Sequence, residues 1–308
     1  MTDTTTATRP GPIAHLRASA RWQMFLASPL AVISVCWLLF IVLVALVGPS
    51  FVYEQANRQN LALRLFQPFQ LERGFAFLLG ADSLGRPIML QLIIGAQTSV
   101  TIAFFSVGCS AFLGYSIGLV SGYFGGWVDN ILLRLADILH TIPSLLLALV
   151  VLFVLNPNIV NLIIVLAVPR MPVYLRTARA QTLEVRERTF VEVARALGAS
   201  NWRIMTRDIA PMVFPTIRTL AMLEVASVIL AAASLTFLGV GLQRPDVDWG
   251  MMVADGRAYL RSAWFVTVFP GVIIVLTALA ANIFSNWLRA VEDPTQNTLF
   301  IRKPRVKK

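Results

Sequence analysis

Two ionisable residues, Arg170 and Glu224, stand inside apolar stretches of this chain, and a charged island from Glu192 to Pro211 lies between those stretches. An isolated charge at the centre of a membrane costs at least roughly 2.5 kcal/mol on insertion scales, so such residues pair with one another or line a hydrated path. Counted at 1.5 Å per residue from entries near Ile159 and Val213, both lie roughly 16 Å deep. In a hydrocarbon core about 30 Å thick, that depth is close to the midplane. The chemistry they offer is passage of a polar solute, and the two are read as candidates for a translocation path.

The island, EVARALGASNWRIMTRDIAP, offers a different chemistry, which is docking. Phe190, Ala194 and Leu197 recur at i, i+4 and i+7, so a short helix presents one apolar stripe with Glu192 and Arg195 at its sides. Gly198 supplies a helix stop and Ser200 a cap for a second short helix carrying Trp202, Met205 and Ile209, which Pro211 ends. The expected product is a helix–turn–helix knob at the membrane surface that needs a partner.

Other residues carry no site. His15 and His140 are solitary, and Cys36 and Cys109 sit in separate apolar stretches without metal-ligand spacing, so buried free thiols are expected. No GxxxxGK[ST] loop occurs and every lysine falls within the last six residues, so this chain has no cradle for ATP phosphates. No catalytic residue, metal site or cofactor is expected within it, and it reads as no enzyme.

Composition sets the elements that must position these residues. With 57% hydrophobic and 14% charged residues and a mean hydropathy of +0.71, the chain is an all-α integral membrane protein, since uncharged runs reach the roughly 20 residues a spanning helix needs. About six spans are expected: Pro29–Val47, Thr98–Ser121, Ile131–Leu155, Ile159–Arg179, Met212–Leu242 and Ala263–Leu288. Asn156-Pro157-Asn158 makes the turn between the third and fourth. Down the second span, Ser106, Ser110, Gly114, Gly118 and Gly122 fall at every fourth residue, a smooth ridge suited to close helix packing.

Orientation follows from Lys and Arg in the connecting segments. With the N-terminus inside, the inner segments hold 3, 1, 8 and 6 of them against 7 spread over two longer outer loops. This bias predicts both termini inside, with tails 1–28 and 289–308, the loop 180–211 on the inner side, and outer loops 48–97 and 243–262. The net charge of +10 is therefore assigned to topology, and the basic end IRKPRVKK to membrane lipid rather than nucleic acid.

Glu192, Ala194, Leu197, Gly198, Ile209 and Pro211 stand in a pattern that resembles the EAA loop of ATP-binding-cassette importer permeases. LLGADSLGRPIM, GYFGGWVDN, SLTFLGVGLQRPDVDWGMM and LRAVEDP extend the likeness, over residues 78–294, to the dipeptide permease C type of dipeptide, oligopeptide and nickel importers. The pattern departs at Val193, Asp208 and Ala210, and at Ala231, where relatives often carry an acidic residue that Glu224 offers here two turns earlier. The resemblance implies a type I importer permease fold with a cytoplasmic coupling helix, in a bacterial inner membrane. It also implies partners: a second homologous permease, two ATPase subunits that bind ATP and Mg, and an extracytoplasmic substrate-binding protein. Peptide, nickel chelate and glutathione are all open as cargo. The alternative class is a self-sufficient secondary transporter or channel, for which paired repeats are expected and none is visible.

Overall fold

The computed structural model describes residues 24–70 and 74–292; the basic C-terminal end, His15 and most of the N-terminal tail lie outside the described residues. Five helical segments are long and apolar enough to cross a membrane, or six if one bent pair counts as a span. Helices are the form that satisfies every backbone polar group within the segment when no water is at hand.

Helix α1, Pro29–Val47, opens with proline in its first turn, where the missing N–H would have had no partner. It buries only Ala31, Ser34, Ile41 and Ala45, so it is a rim helix. α2, Pro49–Asn57, follows it directly. α3, Ile88–Phe124, is the central mast. Its 37 residues reach roughly 55 Å, so both ends stand clear of the hydrocarbon core. It begins ten residues before the expected Thr98, since Ile88, Leu90, Gln91 and Leu92 are buried under the connecting loop instead of lying in it.

The expected third span, Ile131–Leu155, is not one helix. α4, Gly126–Thr141, and α5, Ser144–Val154, meet at an angle of 83°. Pro143 explains the break: its ring excludes the helical conformation at Ile142, which is extended at φ −85°, ψ 123°. α6, Ile159–Ala167, starts where the side chain of Asn158 accepts the amide of Asn161 at 2.8 Å. A single 3₁₀ turn, Val168–Arg170, joins it to α7, Met171–Arg186.

After α7 come α8, Thr189–Ala196, the short α9, Asn201–Arg203, and a π turn, Ile204–Ile209, that runs straight into α10, Ala210–Phe237. Pro211 therefore does not separate two helices as expected. It lies in the first turn of α10, where the wider π turn before it accommodates the ring and the missing donor. α10 stops at Phe237, short of Leu242, where Gly239 takes a positive φ of 81°. α11, Trp249–Gly256, lies within the expected 243–262 loop, and α12, Phe265–Glu292, is the last described element.

The most extensive helix pairing is α3 on α7, and the small-residue ridge explains it. A methyl group on Gly114 would meet Tyr174 Cβ at 2.5 Å, on Gly118 Leu175 O at 2.5 Å, and on Gly122 Thr182 Cβ at 2.7 Å. The two backbones touch, as small-xxx-small packing permits. Ser110, higher on the ridge, is fully buried and turns its hydroxyl back to Ser106 O at 2.8 Å. Cys36 and Cys109, expected to be buried, are exposed, because this chain alone leaves the outward faces of α1 and α3 uncovered.

The start of α3 carries a polar cap. Asp82 accepts the amides of Leu84 and Arg86 on one oxygen and the Arg86 guanidinium on the other, with Gln91 nearby at 3.4 Å, and Asp82 and Arg86 are both buried. Gly85 in this turn has φ 73°, and a Cβ there would sit 1.8 Å from Asn60 O. Trp249 closes the same end, its indole donating to Leu92 O at 3.1 Å above Gly95. Asp248 caps α11 through the amide of Met251 at 2.8 Å. Burial pushes its carboxyl up to about 6, and the bonds from Met251 and the Thr236 hydroxyl only partly oppose that rise.

Candidate functional site

The knob is built on the opposite end of the bundle from this cap. α8 ends in a Schellman turn: the amide of Gly198 donates to Arg195 O at 3.0 Å and that of Ala199 to Ala194 O at 3.1 Å. Gly198 holds φ 81°, a conformation that favours glycine. Ser200 then caps α9 through the amide of Arg203 at 3.4 Å. The sequence signals for stop and restart thus fold as local chemistry requires.

The expected single stripe is split between two faces. Val191, Ile204, Met205 and Ile209 are buried with Tyr123, Tyr174, Ala178, Val185 and Val213, and Ala194 packs against them half-buried. Leu197 is 82% exposed and Trp202 70%, and Phe190 and Val193 are exposed beside them. The stripe Phe190, Ala194, Leu197 is therefore corrected: Val191 and Ala194 seat the helix, while Phe190, Val193 and Leu197, at i, i+3 and i+7, point away. Leu197 is the residue at which α8 ends, so it lies past the last inward turn. The knob has two apolar faces, and periodicity alone does not tell them apart.

Polar bonds fasten the seat. Tyr123 donates its hydroxyl to Asn201 Oδ1 at 2.8 Å, and Tyr115 donates to Ala210 O at 2.7 Å. Arg186 donates to the carbonyls of Gly122 and Tyr123 at 3.2 and 3.0 Å, capping the end of α3 where orphan carbonyls favour a cation. Beside it opens a cleft of about 340 Å³, bounded by Tyr123, Arg186, Glu187, Glu192 and Arg195. Glu192 and Arg195 are exposed on its rim, flanking the outward apolar side chains. Ile209 is inside the seat and Pro211 is exposed just after it.

Arg170 and Glu224 come together. Arg170 Nε donates to Glu224 Oε2 at 3.2 Å, while its other nitrogens reach Leu166 O at 2.8 Å and Ser227 Oγ at 3.4 Å. Their side chains are 13% and 23% exposed, so the pair is mostly desolvated but still open on one side. Arg170 falls in the middle of the Ile159–Arg186 segment and Glu224 in the middle of α10. The exposed Ser234 continues a polar edge along α10 beyond Glu224 and Ser227. Among the described residues no cluster of His, Cys, Asp or Glu is placed to hold a metal.

Sequence reasoning missed two clusters. One is the Asp82–Arg86 staple, whose i, i+4 spacing within DSLGR was the available signal. The other is Asp129 on α4, which binds Ser121 of α3 and Arg179 of α7 and had no local signal.

Comparison with known proteins places this geometry in a family. The binding-protein-dependent transport system inner membrane component family matches residues 114–297, and the N-terminal TM domain of oligopeptide transport permease C matches residues 18–68. The chain is 34% identical over 294 residues to the probable D,D-dipeptide transport system permease protein DdpC of Escherichia coli (strain K12), covering 96% of this chain and 97% of that one. It is 36% identical to the di/tripeptide transport system permease protein DppC of Pseudomonas aeruginosa (strain UCBPP-PA14), covering 89% and 90%. Likeness to the glutathione transport system permease protein GsiD of Pectobacterium atrosepticum is 33%, covering 89% of both chains. The match runs through the spans, the ridge and the knob alike, and the chain belongs to the binding-protein-dependent transport system inner membrane components, as a permease subunit of an ATP-driven importer.

Proposed function

We propose that this permease forms half of a path for short peptides or closely related solutes, and that its knob receives the push of ATP-hydrolysing partners. The observation that carries the reading is the two-faced knob: Val191, Ile204 and Ile209 are locked into the bundle while Phe190, Val193, Leu197 and Trp202 stand outside it. Apolar side chains gathered on a charged rim are what a partner's groove covers. Glu192 and Arg195 on that rim would fix register more than affinity.

In this reading two ATPase subunits bind ATP and Mg on the cytoplasmic side, each gripping the knob of one permease, and a second homologous permease completes the path. Closure of the ATPases moves the knobs as rigid bodies and shifts the permease pair between inward- and outward-facing states. An extracytoplasmic binding protein delivers cargo at the cap end, where the loops around Asp82 and Asp248 are held rigid by buried bonds. The peptide cargo is taken from relatives described as permeases for dipeptides, di- and tripeptides and glutathione. A self-sufficient transporter would have no use for the outward stripe of the knob.

Arg170 and Glu224 are proposed to line the path. Their pairing through one 3.2 Å bond, with a face left open, keeps two charges in the membrane at modest cost while leaving capacity for a passing polar solute.

Three measurements test these statements. Gly198→Val forces a β-branched residue into a left-handed turn, a strain of about 1–3 kcal/mol. Transport in reconstituted vesicles is expected to fall by roughly fivefold or more at unchanged membrane level, and wild-type transport would refute the coupling role. For orientation, with Cys36 and Cys109 replaced, Asp246→Cys should react with an impermeant thiol reagent in intact cells. Arg203→Cys should react only after permeabilisation, and the reverse pattern would put the knob on the wrong side for ATP. For the path, Arg170→Ala and Glu224→Ala should each impair transport more than the double variant, with a coupling of about 1 kcal/mol or more; strict additivity would separate the two residues functionally.

A further inference from the structure

α4 is held in an unusual way for a helix beside a membrane. Of its 16 residues only Asp129 and Ala136 are buried, while Trp127, Ile131, Leu135 and Ile138 form an exposed apolar stripe. Hydrophobic packing therefore does little to fix α4 on the bundle, and polar contacts must. Asp129 Oδ1 accepts from Ser121 Oγ and from Arg179 Nε, both at 2.5 Å, and Oδ2 accepts from Arg179 Nη2 at 2.6 Å. This is a two-bond fork between carboxylate and guanidinium, the strong and directional form of an ion pair. Farther along α4, Asp137 receives Arg176 Nη2 at 2.8 Å.

Arg176, Arg179 and Arg186 are spaced by three and then seven residues, so they form one row along α7. That row lies beside the face on which Leu175, Ala178 and Thr182 pack against the glycine ridge of α3. α7 runs through Glu187 and Arg188 into α8, the first helix of the knob. At its other end α4 meets the 83° break into α5, which packs on α6 and α10, the helices bearing the approach to Arg170 and Glu224.

We propose that Asp129 and Arg179 are positioning residues for transport: their fork, completed by Ser121, fastens α4 to the helix that carries the knob, so displacement of the knob is delivered to the α4–α5 break. The statement rests on the coupling role of the knob proposed above. The fork acts as a fixed anchor that stays closed through the cycle, and the break at Ile142 and Pro143 is where the chain bends. Without the anchor, α7 and the knob would move while α4, weakly packed, stayed behind. ATP would then be hydrolysed with little cargo moved.

The test is the number of cargo molecules transported per ATP hydrolysed, measured with the complete transporter in liposomes and its cargo-loaded binding protein. Asp129→Asn is expected to lower this ratio roughly tenfold while hydrolysis still responds to the loaded binding protein. Arg179→Lys, which keeps the charge and loses the fork, should give a ratio between those of Asp129→Asn and the wild type. Arg134→Gln removes an exposed charge on α4 outside the fork and should leave the ratio unchanged. A wild-type ratio in Asp129→Asn or in Arg179→Lys overturns the proposal.

A second arrangement separates anchoring from folding. In a chain with Cys36 and Cys109 replaced, Asp129→Cys and Arg179→Cys are bridged by a short bifunctional thiosulfonate linker. The ratio should recover when the linker is in place and drop when a reductant cuts it. Equal ratios in the two states overturn the proposal, and if this pair does not assemble, the ratio in Arg179→Lys decides. The knob reading fails on a different result, full transport and full stimulation in Gly198→Val, whereas the anchor fails when Gly198→Val is defective and Asp129→Asn is not.

Discussion

Backbone contact between α3 and α7 along Gly114, Gly118 and Gly122 is the constraint on which the rest of this permease depends. Within a bilayer, apolar side chains gain little by leaving lipid for each other, so tight packing and polar bonds must hold helices together. Here the absence of side chains on one helix lets Tyr174, Leu175, Ala178 and Thr182 of the other lie against its backbone. The seam brings Arg179 within reach of Asp129 and Arg186 within reach of the end of α3. It also puts Tyr123 under Asn201, and so sets where the knob sits. Loosening it would misplace the seat, the Asp129–Arg179 fork and the approach to the Arg170–Glu224 pair together.

The two ends of the bundle are rigid for different reasons. At the cap end, Asp82, Asp248 and Trp249 are buried and bonded to backbone groups, and the buried Arg86 is bonded to the Asp82 carboxylate, so the loops behave as part of the core. At the knob end, rigidity comes from a seat of apolar side chains locked by two tyrosine hydroxyls. Between them, the exposed faces of α1, α4 and α5 are left for lipid and partner chains. The subunit is thus stiff at both ends and leaves apolar faces uncovered between them.

Much of this was legible in the sequence because the signals were local. The bounds of α1, the Asn156-Pro157-Asn158 turn before α6 and the glycine stop in the knob each follow from a few adjacent residues. The small-residue ridge was legible for a related reason, its period matching the helix. The break in the third span was masked by apolar residues on both sides, although Pro143 was its signal. The single stripe Phe190, Ala194, Leu197 mixes the two apolar faces the knob has, Val191 and Ala194 inward and Phe190, Val193 and Leu197 outward, because hydropathy gives both the same weight. Asp129 escaped notice because its partners lie 8 and 50 residues away and meet it only once α3, α4 and α7 are packed.

The seam can be tested by adding one methyl group. Gly118→Ala places a carbon 2.5 Å from Leu175 O, whereas Gly108→Ala on the same helix meets no atom within 4 Å. Thermal unfolding of the purified transporter in detergent should show Gly118→Ala destabilised by about 1–3 kcal/mol, the usual range for overpacking. Gly108→Ala should be unchanged or more stable by up to roughly 1 kcal/mol, since alanine is the better helix former. Equal stability of the two variants would contradict the account, because it would mean that α3 and α7 do not need the backbone contact from which the seat, the Asp129–Arg179 fork and the Arg170–Glu224 pair are positioned.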